Sequence, residues 1–237
     1  MSNRIKDCEY LTAKWNYSLN ERENMPKLIH LLVAVFLLFD ITSTQAATTY
    51  YYTEADYLSA LGAAPSITYN FDTLAAGTAI ADGSTLDGAT FNYTLSPPGS
   101  PSILVDNVFD TTSPDNYLGT DDGSGAFVGG DGFTMSFDQT MRAIGLYVIS
   151  ADLILAGDFT ITTSSGQSVG NIDAVDVTLT DGDAYFLGLI EDDFSMGFDS
   201  ITLTTFDAEY LFNVDDITVS PVPLPAAVWL MGSGMLL

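Results

Sequence analysis

The chain has 237 residues, 31 acidic and 6 basic side chains, a net charge of −25, one cysteine and one histidine. Beyond residue 46 the imbalance sharpens, because Arg142 is the only base there and Cys8 and His30 both lie upstream. That part of the chain can build no Ser-His-Asp or Cys-His unit, no Cys/His zinc site, no Schiff-base lysine, no Walker-type phosphate loop and no disulfide. It also repels phosphate, which excludes nucleic acid as a partner.

Residues 1–24 are charged, lack periodicity and read as an over-extended start ahead of Met25. From Met25 a basic residue, Lys27, is followed by an apolar run over residues 28–39 and by Thr44-Gln45-Ala46. This is the pattern of a secretory signal over residues 25–46, with cleavage after Ala46. The part that remains is long enough for one sandwich-sized domain, assigned to residues 47–220.

A short helix is predicted over residues 53–61, with Thr53 as cap, Asp56 completing the capping pair and Gly62 as its end. After Pro65 the chain alternates with period two in short runs rich in Val, Ile, Thr, Phe and Tyr. Strands are predicted at 67–71, 90–95, 103–109, 133–137, 142–149, 158–163, 175–180, 184–190, 200–206 and 211–219. Turn clusters separate them, and Asp181-Gly182-Asp183 is expected to close a hairpin. The fold class is all-β, an antiparallel β-sandwich of jelly-roll-like form with a short N-terminal helix and an apolar C-terminal tail.

With only oxygen ligands at hand, the one metal the composition favours is a hard cation, calcium. The segment 115–131 carries Asp121, Asp122 and Asp131 among glycines, but its spacing matches no EF-hand and it reads first as a solvated loop. Tyr117 in that segment is expected to be an exposed ring able to contact a ligand; the other tyrosines alternate into strands and read as packing. Paired carboxylates suffice for glycoside hydrolysis, and Glu191-Asp192-Asp193 is the densest acidic run. Adjacent residues on one turn do not face each other across a sugar, so no catalytic residue is assigned.

The last 17 residues, 221–237, read PVPLPAAVWLMGSGMLL. Their prolines make a stiff spacer, and the apolar run that follows is shorter than the roughly 20 residues a spanning helix needs. Val222, Pro223, Leu224, Pro225 and Ala226 with the following AVWL and GSG resemble the PEP-CTERM sorting tail of Gram-negative bacteria, in its VPLPA form. The resemblance implies recognition and cutting by an exosortase, membrane contact through the tail before processing, and residence at the cell surface or in an exopolysaccharide-rich matrix. Family tails continue through a full span to an arginine-rich end, which this sequence lacks.

The middle resembles sandwich domains found ahead of such tails, in Glu54 to Gly62, in Phe71-Asp72-Thr73-Leu74 with Gly77-Thr78, and in Phe212-Asn213-Val214-Asp215-Asp216-Ile217. The first and last of its strands are also similar to those of galactose-binding-like jelly rolls. That resemblance implies a structural calcium shared by Asp72 and Asp215. Read from the residues alone, Asp72 is equally a turn former and Asp215 a charge on an edge strand. The function expected is that of a non-enzymatic surface or matrix protein. The alternatives are a calcium-stabilised carbohydrate-binding module and, third, a glycoside hydrolase.

Overall fold

The computed structural model describes residues 47–95, 102–192, 197–206 and 210–223. The chain divides into Met1–Gln45 and Ala46–Leu237, and every described residue belongs to the second unit. Ala46, Leu224, Pro225 and Ala226 lie outside the described residues.

The unit opens with β1 (Thr48–Tyr51) and α1 (Glu54–Leu61). Thr53 caps α1 by accepting the Asp56 N–H at 3.2 Å, and Gly62 closes it with φ of 61°. The chain continues through β2 (Ile67–Tyr69), β3 (Ala79–Ile80), β4 (Ser84–Leu86), β5 (Ala89–Thr94), β6 (Ile103–Asp106), β7 (Tyr117–Thr120) and β8 (Phe127–Val128). Next comes the long β9 (Gly132–Ser150), then β10 (Phe159–Thr163), β11 (Ser168–Gly170), β12 (Val177–Thr178) and β13 (Asp183–Glu191). The last two strands are β14 (Phe198–Thr205) and β15 (Leu211–Pro221).

All pairings are antiparallel, and β9 belongs to both layers of the sandwich. Its first half pairs with β5 and β14, giving the order β4-β5-β9-β14-β10-β11, here sheet I. Its second half pairs with β13 and β15, and β15 leads on to β2, β7 and β8, here sheet II. The exposed residues Asp138, Gln139 and Thr140 mark the crossing between halves. The two strands expected at 133–137 and 142–149 are one strand, β9, that bends at this point.

The core lies between the layers because each strand sends alternate residues inward. Phe91, Phe133, Met135, Ile161 and Leu203 from sheet I meet Ile144, Leu146, Leu187, Val214 and Val219 from sheet II. At one end the rings of Phe127, Phe133, Phe159 and Phe212 join the layers, with Phe127 and Phe212 stacked at 5.2 Å and Phe159 against Phe212 at 5.0 Å. A second, smaller cluster sits on the outer face of sheet II. There α1 lays Tyr57 and Leu61 over Ala143, Tyr147, Ala184 and Phe186.

The hairpin expected at Asp181-Gly182-Asp183 forms, pairing Val177 with Ala184 and Thr178 with Asp183. The segment 115–131 is not a solvated loop throughout. It contains β7, whose four residues are all buried, and β8, whose Phe127 is in the core. Its glycines and aspartates hid two short strands.

Candidate functional site

Asp72 and Asp215 come together on one residue, Ser113. The Ser113 N–H donates to Asp215 Oδ2 at 2.9 Å, and the Ser113 hydroxyl donates to Asp72 Oδ1 at 3.3 Å. Asp215 Oδ2 also accepts from the hydroxyls of Thr111 and of Thr112 (3.2 Å), while its Oδ1 accepts the Asp216 N–H at 2.7 Å. Asp72 Oδ1 takes the Asp115 and Asn116 N–H groups at 3.1 and 3.0 Å. Asn116 in turn donates its amide to the carbonyls of Phe71 and Leu74. The β6–β7 loop is thereby tied to the turn after β2 and to the middle of β15.

A bulge creates this node. Between Asp215 and Thr218, β15 spends one more residue than β9, and Asp216 takes φ of 48° to absorb it. Asp215 is fully buried and lies between β9 and β7, so it is not the edge charge its sequence position allowed. Burial, followed by the neighbouring Asp216, pushes its carboxyl up to about 6 against the pull of the loop donors. Burial also raises Asp216 and Glu54; Asp72 adds to the former, Asp216 and Asp176 to the latter.

Calcium takes six to eight oxygens. Here the carboxylate oxygens named above face backbone N–H and side-chain O–H donors, and a cation would have to displace that loop. Among the described residues no group of three or more His, Cys, Asp or Glu is disposed to hold a metal ion. As arranged, the residues do not fit calcium. The weaker candidates are each held by a backbone donor, Asp122 and Asp131 within their own turns and Asp121 across the end of the β6–β7 pair. Asp121 accepts the Ser102 N–H at 2.7 Å, Asp122 accepts from Ser124, and Asp131 accepts the Val128 N–H at 2.9 Å.

Tyr117 corrects the sequence reading. It opens β7 fully buried, its ring 6.2 Å from Phe109, and burial with Asp106 nearby pushes its hydroxyl up to about 12. The exposed member of that pair is Phe109. Glu191 is buried at the end of β13 and takes a hydrogen bond from Ser165. Asp192 follows it with its N–H on Ala47 O at 3.3 Å, and Asp193 lies outside the described residues. Val222 leaves β15 with its N–H on Thr140 O at 2.9 Å, and Pro223 follows it.

Two surfaces escaped the sequence reading. The outer face of sheet I carries three rows of small polar residues across its strands. The first row is Thr85, Thr90, Ser136 and Ser200; the second is Asn92, Thr134, Thr202, Thr162 and Ser168. The third, Thr94, Gly132, Thr204, Thr160 and Gly170, has gaps at its glycines. Hydroxyls pair within rows, Thr85 with Thr90 at 2.8 Å, Thr134 with Thr202 at 2.9 Å and Thr162 with Ser168 at 2.9 Å. These rows hold no charge and no ring, though the chain is dense in carboxylates. Above Gly132 the face deepens into a cleft of about 440 Å³, lined by Asp82, Asn92, Thr94, Gly130, Thr134 and Thr202 among others. The alternation in ITLTT and FTITT was the available signal, because period two sends their threonines outward.

The second surface is a groove of about 360 Å³ at the end of the sandwich where β15 begins. Val108, Phe109, Leu211 and Phe212 make its apolar wall, with Asp110, Asp181, Ser150 and Asn213 among its polar groups. It is assembled from several connections far apart in sequence, so no local pattern announces it.

No family model matches the chain, and no curated protein matches it. Among solved structures, it is similar to the CBM22-1 xylan-binding domain from Paenibacillus barcinonensis Xyn10C. The identity is 15%, over 69% of this chain and 98% of that one, with a TM-score of 0.37. A xylan-binding domain from CBM 22, formally termed x6b, aligns at 9% identity over 65% of this chain and 99% of that one, with a TM-score of 0.31.

Proposed function

We propose that the sandwich is an exported, non-catalytic carbohydrate-binding domain, and that its ligand is a polysaccharide of the cell envelope or extracellular matrix. The observation that carries this reading is the three uncharged rows of small polar residues on the outer face of sheet I, with the cleft, edged by Asp82, that opens from them. Each Thr or Ser hydroxyl can donate one hydrogen bond and accept two, so after pairing within its row it retains capacity for a sugar hydroxyl. Neutral hydroxyls are also far cheaper to strip of water than carboxylates. Neighbouring strands are about 4.8 Å apart, so a row of five positions offers a contact line of about 19 Å across the strands. That suits an extended polymer better than a single small molecule. The absence of Lys, His and Cys beyond residue 46 supports binding over catalysis.

The tail resemblance supplies the address: export, exosortase cutting within residues 221–237, and membrane contact before that cut. Chain direction supports a workable orientation. β15 starts at the groove end with Leu211 and leaves at the other end with Pro221, roughly 30 Å away. A membrane-held tail therefore leaves the groove end turned outward.

The test is binding of the purified protein to a panel of insoluble and soluble polysaccharides, with backbone amide shifts mapped on binding. For a neutral polysaccharide, shifts are expected in β4, β5, the first half of β9, β14, β10 and β11. Binding to no polysaccharide in the panel overturns the reading and leaves a purely structural matrix role.

A further inference from the structure

We propose that the groove at the β15 end is a second site, selective for a protonated amino sugar; this rests on the carbohydrate reading above. Four observations combine. The groove has an apolar wall in Val108, Phe109 and Leu211, all of which are exposed to solvent. Phe109 is 36% exposed and its ring is backed by buried Tyr117, which fixes it as a platform. Opposite kinds of group share that space, because the exposed carboxylates of Asp110 and Asp181 line it too.

These two carboxylates are held in place by each other's loops. The Thr180 N–H donates to Asp110 Oδ2 at 3.0 Å, and the Asp110 N–H donates to Asp181 Oδ2 at 3.4 Å. Each tie uses one oxygen of its carboxylate. No basic side chain lines the groove, and Arg142, the only base among the described residues, lies at the start of the second half of β9, near Tyr57.

The occupant follows from charge and shape. A pyranose ring presents a face of C–H groups that lies well on an aromatic ring, and its substituents point sideways. An ammonium substituent beside two carboxylates makes charge-assisted hydrogen bonds, the strong kind. A cation over the Phe109 face gains further from the ring quadrupole. The whole-molecule charge of −25 draws a cationic glycan in and turns a uronic-acid polymer away. The hydroxyl face of sheet I has no such preference, so the domain holds a neutral stretch on one surface and a de-N-acetylated unit at the other.

The probes are a β-1,4-linked glucosamine hexamer and its fully N-acetylated counterpart, titrated calorimetrically into the whole protein at pH 5.5 and at two salt concentrations. The amine form is expected to bind about tenfold tighter at low salt, the worth of one charge-assisted hydrogen bond. Added salt should narrow that gap. The Asp110→Asn, Asp181→Asn double variant keeps an acceptor oxygen for each loop tie, so it should fold with unchanged Tm and lose the preference. Phe109→Ala should weaken both hexamers.

Equal affinity for the two hexamers overturns this site while leaving the carbohydrate reading intact. Failure of both to bind, together with a negative polysaccharide panel, overturns both. A preference that survives the double variant places the amine elsewhere and overturns the assignment. So does a tri-lysine peptide that binds as tightly as the amine hexamer, because the groove then reads charge without the sugar.

Discussion

Gly145 and Gly188 face each other across β9 and β13, and the Tyr57 ring lies over both. A Cβ on Gly145 would stand 2.5 Å from Phe186 Cζ and 2.9 Å from Tyr57 Cε1; one on Gly188 would stand 2.7 Å from Phe186 Cε1 and 3.1 Å from Tyr57 Cδ2. The pair leaves a shallow seat on the outer face of sheet II, and Tyr57 fills it while its hydroxyl donates to Thr218 O at 3.0 Å. This ring is the larger of the two side chains, with Leu61, that dock helix α1. Overpacking a filled seat costs about 1–3 kcal/mol. Gly145→Ala and Gly188→Ala are each expected to lower unfolding free energy by that amount in urea titrations. Tyr57→Phe, which keeps the ring and removes this buried hydrogen bond, should cost about 1 kcal/mol.

Asp215 gives the domain a pH dependence with a definite sign. Its folded carboxyl, pushed up to about 6, exceeds the ordinary unfolded value near 3.9. The folded state therefore binds the proton more tightly. The stabilisation is complete below about pH 4 and is lost as pH rises through about 6. The raised carboxyls of Asp216 and Glu54 act in the same direction. A difference of about two units is worth roughly 3 kcal/mol, or roughly 6–12 °C in Tm for a domain of this size. Thermal melts from pH 4 to pH 8 should show Tm falling. Asp215→Asn, which keeps one acceptor and cannot ionise, should flatten most of that fall. A melt curve of unchanged shape in the variant would assign the pH dependence to other groups.

The donor shell around Asp72 and Asp215 leads to a prediction about calcium. With the β6–β7 loop hydrogen-bonded to the carboxylates, millimolar calcium and excess EDTA should give melting temperatures within about 1 °C of each other, because a ligand stabilises only through differential binding to the folded state. A rise of several degrees with calcium that Asp215→Asn abolishes would mean that the loop opens to admit the ion.

How much of this was legible depends on the range of the interactions. Helix α1 was readable because its signals are local, Thr53 and Asp56 within the first turn and Gly62 directly after the last helical residue. The hairpin at residues 181–183 was readable for the same reason; β13 is a continuous apolar run buried on both faces, whereas the alternating strands β5, β10 and β14 declare their inward residues by period two. The short strands β3, β4, β8 and β11 were not, since two or three residues carry no period. β7 was hidden because its composition, Tyr-Leu-Gly-Thr among aspartates and glycines, is that of a turn; burial on both faces of the sheet determines it. Asp72 and Asp215 were expected only from the resemblance, as ligands of one calcium; they meet instead through hydrogen bonds to Ser113, which neither local sequence announces. The donors come from Thr111, Thr112 and Ser113, whose approach depends on the bulge at Asp216. The groove of Phe109, Asp110 and Asp181 joins residues about 70 positions apart in sequence, beyond any local pattern.

The hydroxyl rows of sheet I allow binding to be separated from folding. Thr134 and Thr202 lie at the centre of the second row, hydrogen-bonded to each other at 2.9 Å and half-buried at the surface. Replacing both with Val removes the two partners together and keeps shape and β-branching, so no donor is stranded and strand propensity is retained. The expected change in Tm is small and of either sign, about 0.5 kcal/mol or less for an exposed sheet pair. Polysaccharide affinity should nonetheless fall at least about tenfold, since loss of even one net ligand hydrogen bond approaches 1.4 kcal/mol. Asn92→Ala in the same row should weaken binding further, whereas Thr49→Ala on β1, at the far edge of sheet II, should leave it unchanged. Affinity electrophoresis of the four proteins in gels containing the bound polysaccharide reads all of these at once. Equal retardation of wild type and the double valine variant would remove the sheet I face from the binding site and leave the groove as its seat.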